Sequence, residues 1–154
     1  MSEKTVSVSA IENGTVIDHI AQGSALILIR LLKLSAQKNR VTVGLNLSSK
    51  SMGHKDLIKI TNRYLTEKEA HDIAVFAPEA TICLIRNYKV EKKMKAVLPE
   101  QVKNILVCPN PCCITRFEPT ETLFFVEEFK QKIFLRCSFC EKLFERSEIR
   151  EYKA

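Results

Sequence analysis

A chain of 154 residues that is 45% apolar and 27% charged is too apolar to stay disordered and too short for more than about two domains. Its formal charge of +6 is unevenly placed, with 15 Lys and Arg against 9 Asp and Glu in residues 1–99 and 9 against 9 in residues 100–154. That placement argues against a nucleic-acid grip in the C-terminal third, where five of the six cysteines gather.

Val6, Val8 and Ala10 alternate with Thr5, Ser7 and Ser9, which predicts a strand over residues 5–11 with one buried face. A turn at Glu12-Asn13-Gly14 follows, and Thr15 to Ala21 carries no periodicity that assigns it. Ser24 is placed to cap a helix through Ala25, Leu28, Ile29, Leu32 and Leu34, apolar nearly all round and so covered on most sides. Arg30 and Lys33 fall inside this stretch, which is only ten residues long, whereas crossing a bilayer takes about 20 apolar residues. No basic segment followed by an apolar one opens the chain, so it reads as cytoplasmic and without a membrane partner.

Val41, Val43, Leu45 and Leu47 alternate with Thr42, Gly44 and Asn46 as a second strand. Leu57 to Thr61 predicts a third, across a long hairpin loop at Ser48 to Lys55. Thr66 and Glu69 make a capping box, and Ala70, Ile73, Ala74 and Val75 carry a helix over residues 67–77 until Pro78. Thr81 to Ile85 is a further strand; beyond Asn87, Tyr88, Val90 and Met94 are expected on one face, with Lys89, Glu91, Lys93 and Lys95 on the other. The order strand, helix, strand, strand, helix, strand predicts an α+β, ferredoxin-like βαββαβ domain over residues 1–97, with both helices on one face of an antiparallel sheet.

Pro99 marks the border of a second domain, residues 98–154. Short strands at Ile105 to Val107, Ile114 to Phe117, Leu123 to Phe129 and Ile133 to Arg136 predict a small all-β zinc-binding module. Cys108-Pro-Asn-Pro-Cys112-Cys113 and Cys137-Ser-Phe-Cys140 form two close pairs, and zinc needs four ligands at tetrahedral corners, which two short-spaced thiolate pairs supply without straining the backbone. A domain this small also lacks the core to fold unaided, and metal binding contributes the missing free energy. In a reducing cytosol clustered cysteines ligate metal more often than they form disulfides. The expectation is one structural Zn(2+) per chain, held by Cys108, Cys137, Cys140 and either Cys112 or Cys113, which spacing alone does not separate. Four thiolates leave no open position for a reactive water, so a zinc hydrolase is excluded. Buried reduced thiols or a redox pair at Cys137 and Cys140 are the plainer readings, and neither explains the second pair. Cys83 reads as a small buried hydrophobe.

With both halves read, the chain resembles the regulatory chain of aspartate carbamoyltransferase over nearly its full length. The resemblance rests on Gly14-Thr-Val-Ile-Asp-His-Ile20, Gly44-Leu-Asn-Leu47, Met52-Gly-His-Lys-Asp-Leu-Ile-Lys-Ile60, Ala77-Pro78, Asn87-Tyr88, Leu98-Pro-Glu100, Val107-Cys-Pro-Asn110, and Cys137 with Cys140-Glu-Lys142. It implies a chain that is not an enzyme, acting in pyrimidine biosynthesis. Its N-terminal domain would bind nucleoside triphosphates (CTP, ATP and UTP), and its zinc domain would dock on the catalytic chain. Regulatory chains of the family also self-associate into dimers.

The family pattern has four residues inside its first cysteine pair, which selects Cys113 over Cys112. Carried over residue by residue, the nucleotide site would use Ile11, Val16, Asp18, His19, Lys59, Ile85, Tyr88, Val90 and Lys93. His19 and Lys93 would face phosphates, Asp18 and Lys59 the ribose region, and backbone around Ile11 and Tyr88 the base edge. Asn110 and Glu141 would lie at the contact with the catalytic chain. Two positions depart from the pattern, Ser9 where the family is acidic and Cys83 where an Asn is common near the base; they bear on the ranking of CTP, ATP and UTP. Without the resemblance, Lys93 would read as part of a solvated strand face, and His54 and His71 are assigned nothing. The competing function is a zinc-ribbon nucleic-acid binder, which shares the two-pair cysteine spacing. The neutral charge of the zinc half argues against it, as do Phe124, Phe125 and Phe129, which are not interleaved with Lys or Arg.

Overall fold

The computed structural model describes residues 10–153. The chain divides into two compact units, and the division falls between Val97 and Leu98. The first unit contains β1 (Gly14–Ala21), α1 (Ala25–Leu31), β2 (Val41–Ser49), β3 (Gly53–Thr61), α2 (Glu67–Phe76), β4 (Thr81–Arg86) and β5 (Lys89–Lys95). Its sheet runs in the order β2-β3-β1-β4-β5, with every neighbouring pair antiparallel. The first four strands and two helices make the ferredoxin-like arrangement, and β5 is added beyond β4.

Two neighbouring rows across this sheet explain its sidedness. Ile58, Ile17 and Ile82 sit opposite one another on β3, β1 and β4 and are fully buried. Burying each such side chain contributes about 1.5–3 kcal/mol. The next residues along, Lys59, Val16 and Cys83, must point to the other face and are only half-buried. The helices pack against each other, and α1 against β3, over the isoleucine face. α2 contributes Ile73, Ala74 and Val75, all fully buried.

The predicted strand at residues 5–11 lies mostly outside the described residues, and Ala10 and Ile11 belong to no strand. The first described strand is instead β1, over the segment that periodicity left unassigned. The reason is a bulge: the pairing with β3 shifts between Ile17 and Ile20, and His19 takes a left-handed φ of 56°. Ile17 and Ile20 are therefore both fully buried although three apart, which breaks the period of two.

α1 is shorter than expected, ending at Leu31 before Lys33 turns left-handed and a 3-10 turn covers Leu34–Ala36. Ser24 makes no side-chain cap. The carboxylate of Asp56 on β3 takes that role, accepting the N–H groups of Gly23 (2.9 Å) and Ala25 (3.3 Å). The long loop expected between β2 and β3 is only a turn at Lys50–Met52, because the strands pair as far as Ser49 with Gly53. α2 carries the expected capping box, Thr66 with Glu69. In β5 the register shift leaves Glu91 unpaired, so Val90 sits opposite Ile85 and shares a face with Lys93, not with Met94.

The second unit is a meander of β6 (Gln101–Lys103), β7 (Leu123–Phe129), β8 (Lys132–Cys137) and β9 (Leu143–Glu145) in sequential order. Phe124, Leu106, Leu135 and Val102 form its core. Lys130 and Gln131, both left-handed, close the β7–β8 hairpin. Two expected strands are absent among the described residues: Ile105 to Val107 makes only an isolated bridge, Leu106 with Tyr152, and Ile114–Arg116 is a 3-10 turn. The turn follows from Cys113, whose N–H donates to Asn110 and whose carbonyl accepts from Arg116, curling the chain where a strand would carry it away. No helix among the described residues is long and apolar enough to cross a membrane.

Candidate metal centre and effector face

Cys137 ends β8 and Cys140 follows in the turn before β9, while Cys108 and Cys113 flank a tight loop between β6 and β7. The four sulfur atoms lie within 4.8 Å of one another. The Cys108–Cys140 and Cys113–Cys137 Sγ separations are both 3.7 Å. Four thiolates at about 2.3 Å from one ion at tetrahedral corners stand about 3.8 Å apart, whereas a disulfide needs about 2.05 Å. The donor set therefore fits a tetrahedral metal ion and not two disulfides. Cys108, Cys113 and Cys137 are fully buried and Cys140 half-buried. Cys112, the alternative that spacing left open, is exposed and outside the group.

Burial pushes the Cys108 and Cys137 thiols up, and the neighbouring thiols add to this against the N–H groups that favour thiolate. At Cys140 burial also pushes upward, but the Lys142 N–H, Asn110 and the neighbouring thiols outweigh it and hold the group at about 7. Asn110, 8% exposed, supports the loop twice: its Oδ1 accepts the Cys112 N–H (3.0 Å) and its main-chain carbonyl the Cys113 N–H (3.1 Å). Glu141 is exposed at a left-handed φ of 64°, its N–H bonded to the Cys137 carbonyl.

In the first unit, the face opposite the isoleucines carries most of the residues that the resemblance implies. Lys59, Val16, Cys83 and Lys93 form one row across β3, β1, β4 and β5. Ile85 and Val90 make a second pair on the same face toward the β4–β5 turn. Asp18 is two residues along β1 from Val16, in an ion pair of 2.8 Å with Lys55. Tyr88, 67% exposed, lies in the turn, and its N–H donates to the Glu12 carbonyl beside Ile11. His19 occupies the bulge; its main-chain N–H donates to the Asp18 carboxylate (2.7 Å), and its buried Nδ1 has no hydrogen-bond partner among the described residues. Ser9 lies outside the described residues. Cys83 is half-buried on the open face, not in the core.

Burial pushes the Asp18 carboxyl up, but the Lys55 ammonium and the His19 N–H outweigh it, leaving the group below its ordinary 3.8. Burial holds Lys59 below its ordinary 10.5, against the attraction of Asp18. Burial likewise raises the Cys83 thiol, with Lys93 opposing. Lys55 was not among the residues expected here: it reaches Asp18 from a neighbouring strand, which no sequence spacing reports. A cleft of about 470 Å³ lined by Lys38, Asn39, Arg40, Thr61 and Asn62 contains none of the expected residues.

Residues 6–97 match the family described as the aspartate carbamoyltransferase regulatory chain, allosteric domain, and residues 100–150 match its metal binding domain. Relatives named aspartate carbamoyltransferase regulatory chain include one from Chromobacterium violaceum, 46% identical over 149 residues covering 97% of this chain and 98% of the relative. One from Vibrio parahaemolyticus is 45% identical over 97% of each chain. One from Vibrio cholerae is 43% identical over the whole of both.

Proposed function

The chain belongs to the family of aspartate carbamoyltransferase regulatory chains, the non-catalytic subunits, and from that premise we propose that it is an effector-sensing subunit in cytoplasmic pyrimidine biosynthesis. The unit before Leu98 binds nucleoside triphosphates, CTP, ATP and UTP among them, on the open face of its sheet. The unit from Leu98 on docks on the catalytic chain of aspartate carbamoyltransferase near Asn110 and Glu141. One structural zinc ion on Cys108, Cys113, Cys137 and Cys140 holds the docking unit in shape, and the regulatory chains pair as dimers.

The observation that carries the effector reading is the row Lys59–Val16–Cys83–Lys93. The backbones of Lys59 and Lys93 stand three strand spacings apart, about 14 Å, on either side of an apolar floor. An extended nucleoside triphosphate matches that pattern, with phosphates at the Lys93 end and sugar near Lys59 and Asp18. The sulfur separations of 3.7 Å support the zinc assignment, and four protein ligands make such an ion structural. Zinc supplies the charge that lets buried thiolates persist; the cysteines supply the shape.

Regulation then follows from linkage. An effector shifts the catalytic partner only through its differential affinity for two assembly states, typically about 1–3 kcal/mol or roughly 5–150-fold, and the catalytic-site ligand alters nucleotide affinity by the same factor. The test mixes this chain with its cognate carbamoyltransferase and compares aspartate saturation with and without CTP and ATP. Assembly with a nucleotide-dependent shift is expected. Failure to assemble overturns the docking reading; assembly with no response to any nucleotide overturns the effector reading.

A further inference from the structure

The start of β1 is tied down on both sides by one residue outside the set that the resemblance implies. The main-chain carbonyl of Asn13 accepts the Asn62 N–H at 2.9 Å, just past the end of β3. Its side-chain Oδ1 accepts the Asn87 N–H at 3.2 Å, in the β4–β5 turn. Next to it, the Glu12 carbonyl accepts the Tyr88 N–H at 2.9 Å. Gly14, at φ 139°, sets β1 hard against β3: a Cβ there would meet the Ile60 carbonyl oxygen at 2.0 Å.

The turn that Asn13 grips needs holding. Asn87 and Tyr88 both have positive φ, 52° and 66°, the two-residue form whose twist matches a hairpin. Asn tolerates that region; a bulky Tyr occupies it rarely and only where its surroundings impose it. The hairpin has separate support from behind, where the Tyr64 hydroxyl donates to the Ile85 carbonyl (2.9 Å) and the Arg86 guanidinium lies 4.9 Å over the Tyr64 ring. Losing the Asn13 side chain therefore loosens the tip, leaving it on the Glu12–Tyr88 main-chain bond, without unfolding the hairpin.

We infer that Asn13 is a positioning residue of the effector site: it fixes the spacing between the Ile11–Glu12 and Asn87–Tyr88 backbones, and so sets recognition of the base rather than of the phosphates. The inference rests on the proposed reading that nucleotides bind this face. A base edge is read by main-chain groups only if the two segments keep one separation, and Asn13 supplies the side-chain bond between them. The phosphate end, at Lys93, lies on a different part of the sheet.

The experiment measures binding of CTP, ATP and inorganic tripolyphosphate to the full chain by calorimetry, in wild type, Asn13→Ala and Asn13→Asp. Asn13→Ala is expected to weaken CTP and ATP by roughly three- to tenfold, the worth of one hydrogen bond, while tripolyphosphate affinity stays unchanged. Asn13→Asp keeps an oxygen acceptor for the Asn87 N–H and is expected to recover most of the nucleotide loss. Unchanged nucleotide affinity in Asn13→Ala overturns the inference, and so does an equal loss for tripolyphosphate, which would mark a general disturbance. A wild-type chain that binds tripolyphosphate and both nucleotides with equal affinity overturns the effector reading itself.

Discussion

Asp56→Ala tests how the first unit is held together behind its open sheet face. Asp56 is fully buried, and its two oxygens accept three main-chain N–H groups: Gly23 at 2.9 Å, Ala25 at 3.3 Å and Asn46 at 3.1 Å. One carboxylate thus starts α1 and closes the bulge in β2, where Asn46 is left-handed at φ 58°. After the substitution the buried Ala25 N–H has no acceptor, which costs about 1–3 kcal/mol, while the two part-buried groups recruit water at a net loss of about 0.5–1.5 kcal/mol each. The expected total is about 2–6 kcal/mol, a large fraction of the roughly 5–15 kcal/mol that stabilises a domain. Asp56→Asn keeps one acceptor oxygen and should fall between wild type and Ala. Urea unfolding followed by circular dichroism reads the total, and hydrogen exchange at the Ala25 and Asn46 amides reads the cause. An Asp56→Ala chain within about 0.5 kcal/mol of wild type, the usual spread of a neutral surface change, would refute the reasoning.

Cys113→Ala should lose the metal and melt the unit from Leu98 on, while exposed Cys112→Ala should keep both; equal metal loss from the two variants would contradict the ligand set. Because Asp18 titrates below its ordinary 3.8 in the folded chain, the unfolded chain binds more protons between the two values. Its contribution is complete above pH 3.8 and drains away as pH falls through the folded value, so Asp18→Asn should flatten the acid limb of unfolding free energy against pH; an unchanged limb would refute this. Lys59, held below 10.5 by burial, should be drawn back up by an anionic ligand, so nucleotide binding takes up a proton at alkaline pH and weakens as pH rises. Lys59→Arg, charged throughout, should still bind but lose that uptake, measured by calorimetry in buffers of different ionisation enthalpy; uptake that persists would refute the assignment to Lys59.

The two candidate sites differ in how far the sequence discloses them, and the difference is geometric. A metal cluster is made of two short loops, so Cys108 with Cys113 and Cys137 with Cys140 advertise it by local spacing. Only the choice between Cys112 and Cys113 needed more than spacing, because both lie in one loop and packing decides which turns inward. The sheet face is made of single residues from four strands, and nothing local links Lys59 to Lys93; the resemblance, not periodicity, picked them out. α2 was legible because its capping box and apolar spacing are local. β1 was not, because the bulge at His19 puts Ile17 and Ile20 on one side and leaves Val16 and Ile17 adjacent. The start of α1 is a related case: Ser24 is the local candidate but makes no side-chain cap, while Asp56, distant in sequence, accepts the Gly23 and Ala25 N–H groups on either side of it.

The same row explains why a basic half-chain need not be a nucleic-acid grip. A protein that tracks a long polyanion presents exposed cations along a groove, where each one releases counterions and little is desolvated. Lys59 is different: it is half-buried on a middle strand of the sheet, and burial already disfavours its charge. Lys55 on the same strand is committed to Asp18, which removes one further cation from the surface field. The face then carries a short strip of positive charge, with Lys95 two residues along β5 from Lys93, bounded by an apolar floor at Val16 and Cys83. A partly desolvated ammonium gains most from a ligand that brings its anionic and polar groups down onto the sheet, because each interaction is stronger where water is scarce. A compact nucleotide satisfies that condition over its whole length, whereas a nucleic-acid backbone would touch the strip once and leave the floor uncovered.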